Sequence, residues 1–191
     1  MMAYLMLLCG LRREEVAGLN QRVLPNPSGH PANRGLKMVL DPKLTPTKGS
    51  KARWVLVPYP LAIELWDYMH WQRPKVAELY RNKQGLYTNL LFLSHYGDPI
   101  SLEGMNNAFR KASEKCGIKC TPHRLRHTFG TYEFLRLSET KGVDGALHWV
   151  RDRMGHSSIA TTEIYVQAAD LVNHDEIDSF CALLRGENSG D

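Results

Sequence analysis

The sequence predicts a mainly α-helical domain with a small antiparallel β-sheet, an α+β fold. Apolar residues recur at helical spacing through most of the chain, for example in "LAIELWDYMHWQRPKVAELY" (residues 61–80). The one strong β signal lies in "LKMVLDPKLTPTKGSKARWVLVPYP" (residues 36–60), where two extended runs flank the polar turn "TKGSK". A length of 191 residues and an apolar content of 43% suit one domain with its own core, or one such domain and a small appendage.

The first 19 residues, "MMAYLMLLCGLRREEVAGL", predict two short helices hinged at Gly10. The apolar run is too short for a membrane span and lacks the basic residues that begin a signal peptide. Because it starts without a helix cap, we expect a fragment whose upstream partner is missing. The turn-rich stretch "RVLPNPSGHPANRG" (residues 22–35) leads into the hairpin.

The second half of the chain is predicted to be helical after one short buried strand and turn, "LLFLSHYGDPIS" (residues 90–101). Gly117 is expected to end the next helix, and Thr121 and Pro122 are expected to begin the one after it. The helical stretches expected in this half are residues 102–116, 123–137, 145–154, 159–172 and 175–185.

Charge and cysteine content narrow the class of protein only mildly. A net charge of +4 permits a polyanionic partner without demanding one. The four cysteines are scattered, and none has the Cys-x-x-Cys spacing of a zinc knuckle or redox pair. Reduced thiols in a cytoplasmic protein are therefore expected.

A first candidate site is the stretch "TPHRLRHTFG" (residues 121–130). His123 and Arg126 share a helix face near the helix N-terminus, where free N–H groups and the dipole favour an anion. A solvated basic turn would show the same pattern. His123 and His127 also have the spacing of two zinc ligands, but the neighbouring arginines would repel a metal, so no metal is expected.

Two further candidates lie upstream. In "CGLRREEVAGL", Glu15 is placed to orient Arg12, and an oriented guanidinium is the better fork for a phosphate. Lys48 lies at the hairpin tip and is the candidate cation of this turn, with Lys43 and Lys51 as alternative candidates. Surface helices and turn tips commonly carry such residues, so each signal is weak alone.

The stretch "RDRMGHSSIATTEIYVQ" (residues 151–167) places Tyr165 nine positions after His156. That tyrosine is either a core aromatic or a nucleophile near a histidine. The chain carries, in order, G-L-R-x-x-E, a hairpin lysine, H-x-L-R-H, G-H-S-S and this tyrosine. From Leu7 to Val166 it resembles the tyrosine recombinase (phage integrase) family of DNA strand-exchange enzymes.

The resemblance implies a role for each candidate residue. By that analogy Arg12 and Arg126 clamp the scissile phosphate, and Tyr165 attacks it. Lys48 protonates the leaving 5′ oxygen, while His123 and His156 assist proton transfer and phosphate binding. Glu15 supports the site. The implied activity is site-specific recombination through a 3′-phosphotyrosine intermediate, with no cofactor.

The resemblance also implies that residues 1–191 form the recombinase catalytic domain, with the family's N-terminal core-binding domain absent. A helix at 175–185 carries an apolar stripe that either contacts a neighbouring protomer or packs within its own chain. The implied partners are double-stranded DNA and a homo-tetramer on paired recombination sites, without a membrane, in the cytoplasm with the nucleoid. The segment from His127 to His156 looks longer than usual for the family.

The proposed chemistry needs these residue types for independent reasons. Two bidentate guanidinium groups stabilise the charge on the nonbridging oxygens of a phosphodiester transition state without a metal. A tyrosine titrates near ~10 and needs neighbouring positive charge or a base such as His123. The covalent intermediate stores the bond energy, which agrees with the lack of a Walker-type loop in the sequence.

Two other functions fit parts of the pattern. A type IB topoisomerase shares the Arg, Lys, Arg, His and Tyr set, but the G-H-S-S motif followed by the tyrosine and the 175–185 helix favour a recombinase. A DNA-binding module with a degenerate site is disfavoured because all the catalytic residue types are present.

Overall fold

The computed structural model describes residues 1–155, which form six α-helices and one two-stranded antiparallel sheet. The elements are α1 Met2–Cys9, α2 Arg13–Ala17, β1 Leu36–Leu40, β2 Arg53–Val57, α3 Tyr59–Asp67, α4 Arg73–Gln84, α5 Leu102–Cys116 and α6 Pro122–Met154. The mainly helical α+β architecture predicted from the sequence is therefore confirmed. The expected helices at 159–172 and 175–185 lie outside the described residues.

The hairpin has the register Leu36 with Val57 and Leu40 with Arg53. Side chains alternate along each strand, so the odd-numbered positions of β2 point inward and the even-numbered positions of β1 do so. The apolar inward residues join the main core, whereas Arg53 places a charge on the same inward face. The connecting loop, residues 41–52, carries Lys48 in a short 3₁₀ turn.

Helix α1 lies at the centre of the domain, packed against α6 and β2. It carries almost no polar residues, so it is stable only where neighbouring elements cover it. Its buried residues Leu5, Met6 and Cys9 belong to the main core with the inward residues of the hairpin and α3. Helix α1 therefore contributes to the core against which α6 and β2 pack.

Gly10 ends α1 in the left-handed conformation, with φ 65° and ψ 27°. A Cβ atom at this position would lie 2.4 Å from Cδ1 of Phe129, so the glycine lets α6 approach the end of α1. The predicted hinge at Gly10 is confirmed, and the close contact explains why a glycine is needed there.

Helix α6 has two arms that meet at Gly142, where φ is 71° and ψ is 168°. Apolar side chains from both arms form a second core cluster of Phe129, Phe134, Leu137, Ala146, Leu147, Val150 and Met154. The chain therefore returns on itself, and the end of the second arm comes back beside the start of the first. The two helices expected at 123–137 and 145–154 correspond to these arms.

The prediction of a short strand within residues 90–101 is wrong. This stretch forms only two isolated bridges, Asn20 with Leu90 and Leu93 with Pro99. Gly97, with φ 85°, turns the chain directly against Leu79 and Tyr80 of α4. Leu91, Phe92 and Leu93 are buried. Burial in a turn thus produced the apolar run that indicated a strand.

The helices within residues 1–155 include none that is both long and apolar enough to cross a membrane.

Replacing Gly10 with alanine is expected to lower the free energy of unfolding by about 2–5 kcal/mol. The left-handed conformation costs a non-glycine residue about 1–2 kcal/mol, and the contact with Phe129 adds an overpacking cost of about 1–3 kcal/mol. Gly117→Ala is the matched control, because Gly117 has φ 68° but has nothing within 4 Å of a new Cβ. Urea unfolding of both variants checks the difference, and equal losses would contradict the contact argument.

Candidate active site

An open cleft of about 1120 Å³ lies between α2, the hairpin loop, α5 and the start of α6. We call it the basic cleft, because six Lys or Arg residues and two Glu residues line it. Its charged and histidine lining residues are Arg12, Arg13, Glu14, Glu15, Lys48, Arg110, Lys119, His123 and Arg126. Five of the residues singled out from the sequence therefore meet in one place, although up to 114 positions of sequence separate Arg12 from Arg126.

Arg12 and Glu15 form the predicted pair across the first turn of α2. Arg12 is the N-cap residue, and its backbone N–H donates to Oε2 of Glu15 at 2.7 Å. Its Nη1 donates to Oε1 of the same carboxylate at 3.2 Å. This capping arrangement fixes the guanidinium at the edge of the basic cleft, where its side chain is 17% exposed.

Arg53 is a second partner of Glu15 that the sequence analysis missed. Its Nη1 and Nη2 donate to Oε1 and Oε2 of Glu15, each at 2.6 Å. A signal existed, because Arg53 occupies an inward position of β2 in alternation with Val55 and Val57. A cation on an inward strand face requires a buried acceptor.

The Glu15 carboxylate is almost fully buried, with 1% of its side chain exposed. Burial acts to raise its pKa, but the hydrogen bonds and charge of Arg53, the Arg12 amide and the charge of Arg126 outweigh burial. The pKa of Glu15 is therefore lowered from its ordinary value, and the carboxylate stays ionised at neutral pH.

Arg126 is buried at the back of the basic cleft, 6% exposed. Its Nη1 donates to the carbonyl oxygen of Gly10, and its Nη2 donates to that of Met154. One guanidinium thus joins the C-terminal end of α1 to the C-terminal end of α6. The bond to Gly10 ties the arginine to the same glycine that admits α6 against α1.

Three successive carbonyl groups at the end of α6 each accept a hydrogen bond from a different arginine. Nε of Arg53 donates to the carbonyl of residue 153 at 2.9 Å. Arg126 donates to the carbonyl of residue 154, and Nη2 of Arg12 donates to that of Gly155 at 2.8 Å. Because the last carbonyl groups of a helix lack partners within it, these arginines act as its C-terminal cap. The backbone immediately before His156 is thereby held at the cleft.

His123 lines the basic cleft and faces His127 one turn later in α6. Their Nε2 atoms lie 2.7 Å apart, and their rings meet edge to face. Burial, followed by the charges of His123 and Arg126, lowers the pKa of His127. One ring can donate its Nε2–H to the other, and the tautomers decide which ring is the donor. The part of the chain that the structure describes contains no group of three or more metal-ligating side chains.

Lys48 lines the basic cleft from the hairpin loop, whereas Lys43 and Lys51 do not line it. Gly49, with φ 74°, and Ser50, with φ 50°, make the tight turn that follows Lys48. This placement favours Lys48 over its two alternatives, and its chemical role stays a prediction. His156, Tyr165 and the 175–185 segment lie outside the described residues, so their roles also stay predictions.

The arrangement can bind an anion whose charge is spread over several oxygens. Arg12 and Arg126 supply two planar guanidinium groups, Lys48 supplies an ammonium group, and His123 supplies an imidazole. All four groups line the same open cleft of about 1120 Å³.

Stability is expected to fall as the pH decreases through the ordinary histidine value of 6.5. The pKa of His127 is lowered in the folded chain, so the unfolded chain binds the proton first and is favoured in that window. Replacing His127 with glutamine should remove this part of the pH dependence, measured by urea unfolding at about pH 7.5 and about pH 5.5. His148→Gln, at an exposed position of α6, is the control. An identical pH response in wild type and His127→Gln would contradict the assignment.

Several known proteins resemble this chain in sequence. The tyrosine recombinase XerC of Listeria monocytogenes serotype 4a (strain HCC23) is 35% identical over 122 residues, which cover 62% of this chain and 36% of that protein. The chain thus spans little more than a third of the length of that relative.

Solved structures show the same fold. The XerH site-specific recombinase bound to palindromic difH substrate, in a post-cleavage complex, matches with a TM-score of 0.59 and 18% identity over 96% of this chain and 44% of that one. The Tn1549 transposon integrase in complex with transposon right end DNA matches with a TM-score of 0.55 and 22% identity over 85% and 52%. The recombinase-like fold predicted from the motifs is confirmed.

The family model gives the decisive comparison, since it extends over most of the chain and includes every residue singled out for the site. The model described as "Phage integrase family" matches residues 1–171. The chain therefore belongs to the phage integrase family, as the order of its motifs predicted.

Proposed function

We propose that residues 1–191 form the catalytic domain of a site-specific DNA recombinase that cleaves and rejoins DNA strands through a 3′-phosphotyrosine intermediate. The observation that carries the proposal is the meeting of Arg12, Lys48, His123 and Arg126 in the basic cleft. Membership of the phage integrase family supports it. So does the similarity to a tyrosine recombinase.

In this proposal Arg12 and Arg126 bind the nonbridging oxygens of the scissile phosphate. The carbonyl and carboxylate bonds described above hold each guanidinium in a fixed orientation at the basic cleft. A guanidinium carries five N–H donors in a planar fork, so it can bond to more than one acceptor at once. Fixed donors stabilise the transition state without reorganising during the reaction.

Tyr165 is the proposed nucleophile. Its phenolic oxygen forms a bond to phosphorus while the bond from phosphorus to the 5′ oxygen breaks. His123 accepts the phenolic proton, with His156 assisting, and Lys48 gives a proton to the leaving 5′ oxygen. Rejoining reverses these steps, with a 5′ hydroxyl attacking the phosphotyrosine, so no external energy source is required.

Double-stranded DNA is the proposed substrate. Six cationic side chains against two carboxylates give the basic cleft the charge that a phosphate backbone requires. The XerH and Tn1549 proteins of similar fold were solved with DNA. We further propose a homo-tetramer on paired recombination sites, in which residues 175–185 contact a neighbouring protomer, and a location at the nucleoid in the cytoplasm.

Replacing Tyr165 with phenylalanine should abolish a covalent DNA adduct and leave DNA binding nearly unchanged. Only the hydroxyl group is the nucleophile, and phenylalanine retains the ring. The measurement is incubation with a nicked suicide DNA substrate followed by denaturing electrophoresis. Tyr68→Phe, at a tyrosine packed against Phe92 away from the basic cleft, is the control and should still form the adduct. An adduct that persists in Tyr165→Phe would refute the assignment.

Replacing Arg12 or Arg126 with lysine should slow strand cleavage roughly 100-fold or more, although the charge is retained. A lysine ammonium cannot supply two parallel hydrogen bonds to phosphate oxygens. Arg81→Lys is the control, because Arg81 stacks on Tyr87 outside the basic cleft. This variant should cleave at the wild-type rate. The measurement is single-turnover adduct formation, and near-normal rates for both cleft variants would exclude the phosphate clamp.

A further inference from the structure

We propose that Arg53, at the base of the Lys48 loop, is a positioning residue that holds Arg12 and the backbone before His156 in one fixed arrangement. The inference rests on the proposed function, since it assigns Arg53 a part in the same site. Arg53 does not line the basic cleft, so it acts through the groups that it contacts.

The contacts of Arg53 use all three nitrogen atoms of its guanidinium. Nη1 and Nη2 donate to the two carboxylate oxygens of Glu15 at 2.6 Å, and Nε donates to the carbonyl oxygen of Arg153 at 2.9 Å. The side chain is 9% exposed and the carboxylate 1%. A short, bidentate and buried pair of this kind fixes direction as well as distance.

Arg53 transmits this fixation to Arg12 through Glu15. The same carboxylate accepts from the backbone N–H of Arg12 at 2.7 Å and from its Nη1 at 3.2 Å. If Arg53 is shortened, the carboxylate loses the partner that fixes both of its oxygens. The guanidinium of Arg12 is then no longer held in one orientation by a fixed carboxylate at the edge of the basic cleft.

Arg53 also links the hairpin to the end of α6. It begins β2, five residues after Lys48, and pairs with Leu40 across the sheet. A reciprocal contact strengthens the junction, because Nη1 of Arg153 donates to the carbonyl of Trp54 at 3.1 Å and its guanidinium lies over the Trp54 ring. The base of the lysine loop and the last turn of α6 are therefore joined in both directions.

Lysine cannot replace Arg53 in this arrangement. One ammonium group has a single nitrogen, so it cannot bond two carboxylate oxygens in parallel and reach a third acceptor on another element. Arg53→Lys therefore keeps the charge while removing the geometry. Arg136→Lys is the matched control, because Arg136 pairs with Glu133 on the exposed side of α6, 42% exposed and outside the basic cleft.

The test measures two properties of the 191-residue chain. The first is hydrogen–deuterium exchange in peptides covering residues 10–16 and 148–155, compared with the rest of the chain. The second is the single-turnover rate of covalent adduct formation with a nicked suicide DNA substrate. In Arg53→Lys, exchange should become faster in these two peptides and stay unchanged elsewhere. The variant should form the adduct roughly 100-fold more slowly, as expected when a catalytic group is misplaced by about 1 Å. Arg136→Lys should change neither property.

A double variant separates positioning from loss of stability. Arg53→Met leaves the Glu15 carboxylate buried with fewer partners and should lower the thermal midpoint, and adding Glu15→Gln should recover the midpoint by removing the buried charge. Under the proposal, cleavage by the double variant stays slow. Recovery of cleavage together with the midpoint would overturn it.

Failure of the proposed function gives a different result. If the unsubstituted chain forms no Tyr165-dependent adduct, strand cleavage is refuted, and the exchange measurement alone then decides the role of Arg53. Unchanged exchange in both peptides of a folded Arg53→Lys variant overturns the proposal. Faster exchange confined to those peptides supports it.

Discussion

The buried carboxylate of Glu15 is the charge on which the rest of the site depends. A carboxylate with 1% exposure requires cationic partners, and it receives one from its own helix and one from β2. Those partners, Arg12 and Arg53, then extend to the end of α6. One desolvated negative charge thus organises three parts of the chain around a cleft that is otherwise strongly positive.

The second requirement is the return of α6 on itself. The break at Gly142 lets the second arm pack on the first, and the apolar cluster between the arms stabilises that return. The return brings residues 153–155 to Arg53, Arg126 and Arg12. Packing of the arms therefore supplies the acceptors, and the arginines convert loose helix-end carbonyl groups into a fixed junction.

Local patterns in the sequence were sufficient for much of the fold. The hinge at Gly10, the hairpin and the caps at Gly117 and Thr121 each depend on a few neighbouring residues, so spacing and turn chemistry identified them. The strand prediction for residues 90–101 was wrong because an apolar run can also be buried in a turn that pairs with no strand. The order of motifs identified the family, since order is itself a property of the sequence.

The missed part of the site depends on contacts between distant positions. Arg53 and Glu15 are 38 residues apart, so no helical or strand period relates them. The capping of residues 153–155 requires the fold of α6 to be known first. The inward position of Arg53 in its strand was the one available signal, and it was hidden among the several cations of the hairpin.

The tip of the two-armed helix has a consequence for variation in length. Residues 139–144, which surround Gly142, are all exposed. The opposite ends of the two arms are anchored at the cleft, because Arg126 of the first arm donates to the carbonyl groups of Gly10 and of Met154 at the end of the second arm. A pair of arms with both ends fixed tolerates added or removed turns at the tip, because such changes do not move the anchored ends. The long spacing between His127 and His156 is therefore compatible with an unaltered site, and the tip is the position at which a tag or small domain can be inserted with least disturbance.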